Sequence, residues 1–222
     1  MNNPPELTTL DATRQIPGDY DRIIAALAAR PIPAAWLDAL RPGGRLVTAI
    51  AGTALILTAD KRAEGGAVGR IEWEPATFMT ARSSTEVPAP LRSRYESLWA
   101  TGGEQIGKGH YPVINVTEAR ELRSMLGVVT PGIEHHYQAH DDGLDTAWMF
   151  HPDGSWARAI GNRAGSPPTI YQGGPRRLWD ILDDLRSSWL RDGSLPVYGA
   201  KATITPHGVI HLEHGHWHTS LY

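Results

Sequence analysis

Tyr20-Asp21-Arg22-Ile23-Ile24-Ala25-Ala26 decides the fold class, because an acidic start running into an unbroken apolar segment is how a buried parallel strand reads. After it, Pro33 stands where the first turn of a helix tolerates proline, and Trp36, Leu37 and Leu40 share one side. Pro42-Gly43-Gly44 is expected to end that helix, and residues 45–50 form the next strand. Strand, helix and strand in this order open an α/β sheet. Residues 54–58 and 68–73, separated by a polar, glycine-containing stretch, then predict an antiparallel hairpin.

The rest of the chain is consistent with a folded protein and removes several function classes. It has 222 residues, 41% hydrophobic and 20% charged, which is the range of ordinary globular domains. Lys and Arg number 21 against 24 Asp and Glu, for a net charge of −3 without a block of like charges, so general nucleic-acid binding has no electrostatic basis. Zero cysteines exclude a disulfide framework, a thiolate nucleophile and Cys-ligated metal, and make the cytoplasm the expected compartment. Residues 1–9 lack the pattern of a secretory signal. The longest apolar stretch, 46–59, contains Gly52 and falls short of the roughly 20 residues that span a bilayer, so no membrane insertion is expected.

Between residues 81 and 111, prolines at 88 and 90 and glycines at 102, 103, 107 and 109 interrupt every pattern, which places a junction there. The expected organisation is an α/β domain over 1–82, a linker over 83–112 and an α+β module over 113–222. Within the module, Thr117 is expected to cap a short helix lined by Leu122, Met125 and Leu126 and stopped by Gly127. Residues 133–139, 145–150 and 155–160 read as a meander, with Asp-Gly turns between them. Pro175 opens a stronger helix, with Leu178, Leu182, Leu185 and Trp189 on one stripe and Asp192-Gly193 closing it. Residues 197–205 and 209–217 finish as a hairpin.

Asp11-Ala12-Thr13, Tyr20-Asp21-Arg22-Ile23-Ile24, Ile32-Pro33, Trp36-Leu37 and Leu40-Arg41-Pro42-Gly43-Gly44-Arg45-Leu46-Val47 occur in an order that resembles the second half of the catalytic domain in the protein-L-isoaspartate O-methyltransferase family. Phe78-Met79-Thr80-Ala81-Arg82, Gly154-Ser155-Trp156-Ala157-Arg158 and Gln172-Gly173-Gly174-Pro175-Arg176-Arg177-Leu178-Trp179-Asp180 look like a narrower branch, the methyltransferases encoded with ATP-grasp peptide maturases. The resemblance implies a partial class I, Rossmann-like methyltransferase sheet followed by a smaller α+β module. It also implies methyl transfer from S-adenosylmethionine to an Asp or isoAsp carboxylate of a peptide or protein, within ribosomal peptide modification. A carboxylate is already nucleophilic, so catalysis is mainly alignment and no catalytic base is singled out.

By resemblance, Asp11 and Ala12 touch the cofactor, the Asp11 carboxylate accepting from the adenine amino group; the competing reading of Asp11 is a turn aspartate. The family's glycine-rich loop and ribose-holding acid precede the matched region, and only ten residues stand before Asp11. The strand beside residues 20–26 is therefore expected to be missing, which leaves an open apolar edge. A fragment, a second chain that completes the sheet, or a rebuilt sheet would each account for it. The alternative function is a non-catalytic peptide-binding or partner-binding module.

Trp148 and Trp156, on neighbouring expected strands, are candidates for walls of a peptide groove, whereas Trp179 and Trp189 read as core. If the last strand runs uninterrupted, His214, His216 and His218 share one face and a metal such as zinc or nickel. An exposed histidine-bearing strand is the simpler account, and no metal is assigned.

Overall fold

The strand expected at Tyr20 forms, and it continues further than the apolar run alone marks. The computed structural model describes residues 11, 16–81, 103–162 and 165–222. They form two compact units. The fold is mixed α/β and dominated by its sheets.

In the first unit, β1 (Tyr20–Ala29) pairs in parallel with β2 (Leu40–Ile50) through the short helix α1 (Ala34–Asp38), which buries Trp36 and Leu37. The glycines expected to stop the helix instead lie inside β2. Tyr20 pairs with Leu40 but Arg22 with Arg45, so Arg41 to Gly44 bulge out of the ladder. Pro42 removes a backbone donor there and Gly43 takes a positive φ of 78°. A Cβ on Gly44 would stand 3.0 Å from the Tyr20 carbonyl oxygen.

From β2 the sheet runs antiparallel through β3 (Ile56–Lys61) and β4 (Ala67–Ile71), which is the expected hairpin. The C-terminal strands correct the sequence reading. Rather than closing the second module, β10 (Lys201–Ile204) pairs with β4, and β11 (Ile210–His214) and β12 (Trp217–Leu221) extend the same sheet in the order β1-β2-β3-β4-β10-β11-β12. Their alternation buries Ala202, Ile204, Ile210 and Leu212, which marks a strand facing a core but not which sheet it joins. Among the named strands of this sheet in the described residues, β1 and β2 pair in parallel and the other neighbours antiparallel.

β1 is also less buried than a central parallel strand. It ends the sheet, Ile24 is 77% exposed, and only Ala28 and Ala29 are fully enclosed. At Ala28 its outer edge meets a second segment. The Ala28 N–H donates to Met79 O at 2.8 Å, and the Ala81 N–H donates to Ala28 O at 2.7 Å.

The second unit contains an antiparallel sheet ordered β5-β9-β8-β7-β6, where β5 is Gln105–Lys108, β6 Glu134–Ala139, β7 Leu144–Phe150, β8 Trp156–Asn162 and β9 Thr169–Gly173. The meander is the one read from the turns. β5 lies inside the stretch expected as linker, because four exposed residues carry no apolar period and form a strand only by pairing with β9.

Helix α2 (Arg120–Val129) begins later than Thr117, after a turn in which the Asn115 side chain accepts from the Thr117 N–H at 3.2 Å and donates to Glu118 at 2.9 Å. It runs through Gly127 instead of stopping there. Helix α3 (Leu178–Asp192) follows its expected stripe and ends on Gly193 in the left-handed conformation. One sheet face packs Ala147, Met149, Ala157, Ala159 and Ile170 against Leu178, Trp179 and Leu182 of α3.

Candidate functional site

Ligands of open α/β sheets gather at the carboxyl ends of parallel strands. In the first unit those ends are Ala28, Ala49 and Ala51, a buried patch of small side chains with Ile56 against it. The Thr48 hydroxyl donates to Leu27 O at 2.9 Å and ties the two strands together just before they end. The patch offers a packing surface and no acid or base. Asp11 is exposed and lies outside any helix or strand, and Ala12 lies outside the described residues. The chain leaves β1 through Arg30-Pro31-Ile32-Pro33, without a glycine that would let backbone approach a nucleotide. Among the described residues, the groups at these strand ends do not fit a nucleotide-bearing cofactor.

Trp148 and Trp156 are brought together on β7 and β8, but as packed side chains and not as walls of an open groove. Each is 6% exposed, in a cluster with Phe150 and the partly buried Tyr171. His136 lies 5.2 Å from Trp148, and the Arg158 guanidinium sits 4.4 Å from the centre of the Tyr171 ring.

The stretch from Gln172 to Asp180 has a structural account. Buried Gln172 accepts from the Trp179 N–H at 3.1 Å and donates to the Asp180 carboxylate at 2.7 Å, so one side chain closes the first turn of α3. Gly174 has φ 87°, and a Cβ there would stand 2.6 Å from Gly154 O. Ser155, from the Gly154–Arg158 stretch, accepts from the Arg176 N–H at 2.9 Å. Gln172→Leu leaves two polar groups without this partner and is expected to lower stability by about 1–3 kcal/mol in urea unfolding. An unchanged midpoint would contradict the capping role.

The C-terminal histidines do not share one strand. Gly215 and His216 form the turn between β11 and β12, so His214 faces Trp217 and His218 faces Glu213. No group of three or more metal-ligating side chains is assembled among the described residues.

His135, on β6, borders a cleft with Thr117, Arg123 and Glu134. Burial, with the Arg123 charge second, lowers its pKa to about 4. Its folded form is therefore neutral, and the unfolded chain takes the proton first as pH falls below the ordinary value of 6.5. Stability from this site is complete above that pH and is lost on descending towards about 4. His135→Gln is expected to flatten the Tm profile across this window, and an equally steep profile would refute the assignment.

Similarity to known proteins adds what the geometry lacks. Residues 15–86 match the family Protein-L-isoaspartate(D-aspartate) O-methyltransferase (PCMT). This segment holds β1, α1, β2, β3 and β4. A protein-L-isoaspartate O-methyltransferase from Methylibium petroleiphilum (strain ATCC BAA-1232 / LMG 22953 / PM1) is 38% identical over 71 residues, which are 30% of this chain and 26% of that relative. The chain thus spans about a quarter of the length of the curated relative it matches. No solved structure matches it. Enzymes of the PCMT family use S-adenosylmethionine, and the similarity points to a methyltransferase at the level of the family. Among the described residues, no helix is long and apolar enough to cross a membrane.

Proposed function

We propose that the chain serves S-adenosylmethionine-dependent methylation of Asp or isoAsp carboxylates on a peptide or protein, in the modification of ribosomally made peptides. A second polypeptide adds a strand along residues 20–26 of β1, ahead of Ala28, whose outer edge already pairs with residues 79–81, and completes the cofactor site. The observation that carries this reading is the position of the PCMT-matched segment, whose leading strand ends the sheet with Ile24 77% exposed. An edge strand of that kind is a template for pairing. Among the described residues the strand ends supply packing but no nucleotide cradle, so the second chain supplies it.

The other reading is a non-catalytic peptide-binding or partner-binding module, and the same lack of a cradle favours it. Calorimetry with S-adenosylmethionine, run beside a mass measurement in solution, separates the two. Tight binding by a dimer or complex, lost on dilution to monomers, is the result expected for the methyltransferase. A well-folded chain that binds no cofactor in any assembly would establish the module reading.

A further inference from the structure

The cleft beside His135 has a volume of about 300 Å³, and Gly52, Thr117, Arg123, Glu134 and His135 are among the residues that line it. Glu134 and His135 are consecutive on β6 and point to opposite faces of the sheet, so a cleft that touches both lies along the edge of the strand. β6 ends its sheet, and that edge carries unused backbone groups. The His140 N–H donates to Leu144 O at 2.9 Å, and alternation from there along an unbroken register turns the backbone groups of Gln138, His136 and Glu134 towards β7. The N–H and C=O of His135 therefore face outward, and among the described residues neither has a hydrogen-bond partner.

Arg123 supplies the charge. It is partly buried on α2, its guanidinium makes no hydrogen bond or ion pair among the described residues, and none of its nitrogens is sealed from solvent. Arg176 and Arg177, by contrast, are paired with Asp153 and Glu104. A guanidinium with nothing to bind, beside a strand edge with nothing to pair, matches an anion carried on an extended backbone.

We propose that this cleft binds a peptide carboxylate, which accepts from the Arg123 guanidinium while the peptide group next to it pairs with the N–H and C=O of His135. One cation balances one carboxylate. A phosphate dianion would leave a negative charge unbalanced in a cleft that Glu134 also lines, and a neutral peptide would leave the guanidinium without a partner. A chain end and an acidic side chain both carry the required group. This assignment stands apart from the methyl-transfer reading, because the cleft belongs to the second unit and the lining residues other than Gly52 fall outside residues 15–86.

The test uses the full chain labelled with ¹⁵N at histidine, with the His135 backbone amide assigned by its loss in His135→Gln. Three peptides are titrated near pH 7, where carboxylates are ionised, at constant ionic strength. N-acetyl-triglycine ends in a carboxylate, its amide has none, and N-acetylglycyl-aspartyl-glycine amide carries one on a side chain. At least one of the two acids is expected to move the His135 amide resonance saturably, and the one that does identifies the source of the carboxylate. The uncharged peptide is expected to bind about tenfold or more weakly. Arg123→Gln is expected to lose a similar factor, the other histidine amides reporting an intact fold, whereas Arg123→Lys keeps the charge and loses less. No movement with either acid would overturn the proposal. Equal binding of the uncharged peptide, tighter binding of inorganic phosphate, or unchanged affinity in Arg123→Gln would overturn it as well.

Discussion

Gly208→Ala is expected to destabilise the protein by about 2–5 kcal/mol, measured as a lower urea midpoint with an unchanged slope. Gly208 ends the turn between β10 and β11 with φ 86°, a conformation that costs an L-residue about 1–2 kcal/mol. Its carbonyl accepts the Ile32 N–H at 3.0 Å, so the turn is docked on the segment that follows β1. A Cβ there would stand 1.8 Å from Ile32 O, and a backbone atom cannot swing away as a side chain does. Relieving that overlap adds about 1–3 kcal/mol. Gly215, in the next turn, isolates the contact term: it has φ 59° and nothing within 4 Å of a Cβ. Gly215→Ala should therefore show the conformational cost alone, about 1 kcal/mol. Equal losses at the two glycines would show that the docking on Ile32 contributes nothing.

That contact also marks where sequence reading stops. Pro206-His207-Gly208 is legible as a turn, and the alternation around it is legible as two strands, but β10 pairs with β4 through partners such as Lys201 and Arg70 that are far apart in the chain, which leaves no local trace. Pro42-Gly43-Gly44 reads as a helix stop but forms a bulge, because the positive φ of Gly43 serves a left-handed helix cap and a bulge alike. The meander of β6 to β8 and the stripe of α3 were legible, since each follows its own period and is bounded by turn residues. The site was less so. Trp148 and Trp156 fall on one sheet face as their strands predict, yet period alone does not say whether that face is open or covered.

Gly127→Val is expected to cost about 3 kcal/mol or more, and the sign of the smaller change, Gly127→Ala, decides the argument. Intrinsic propensity alone predicts that alanine in a helix interior gains about 1 kcal/mol over glycine. The structure predicts a loss, because a Cβ at this position would stand 2.5 Å from the backbone oxygen of Gly52 and 3.1 Å from Thr53 Cγ2. One turn of the same helix away, the Ser124 hydroxyl accepts from the Ala54 N–H at 3.1 Å. Both contacts hold the short Gly52–Leu55 segment against α2 within one unit. A methyl group at Gly127 would push the segment outward and stretch the Ser124 bond, so the Ala54 amide should exchange with solvent faster in both variants. Stabilisation by Gly127→Ala, with Ala54 exchange unchanged, would mean that the helix tolerates the methyl and that Gly127 is only a weak helix former. Destabilisation with faster exchange would identify it as the close-approach residue that lets this helix seat on the segment.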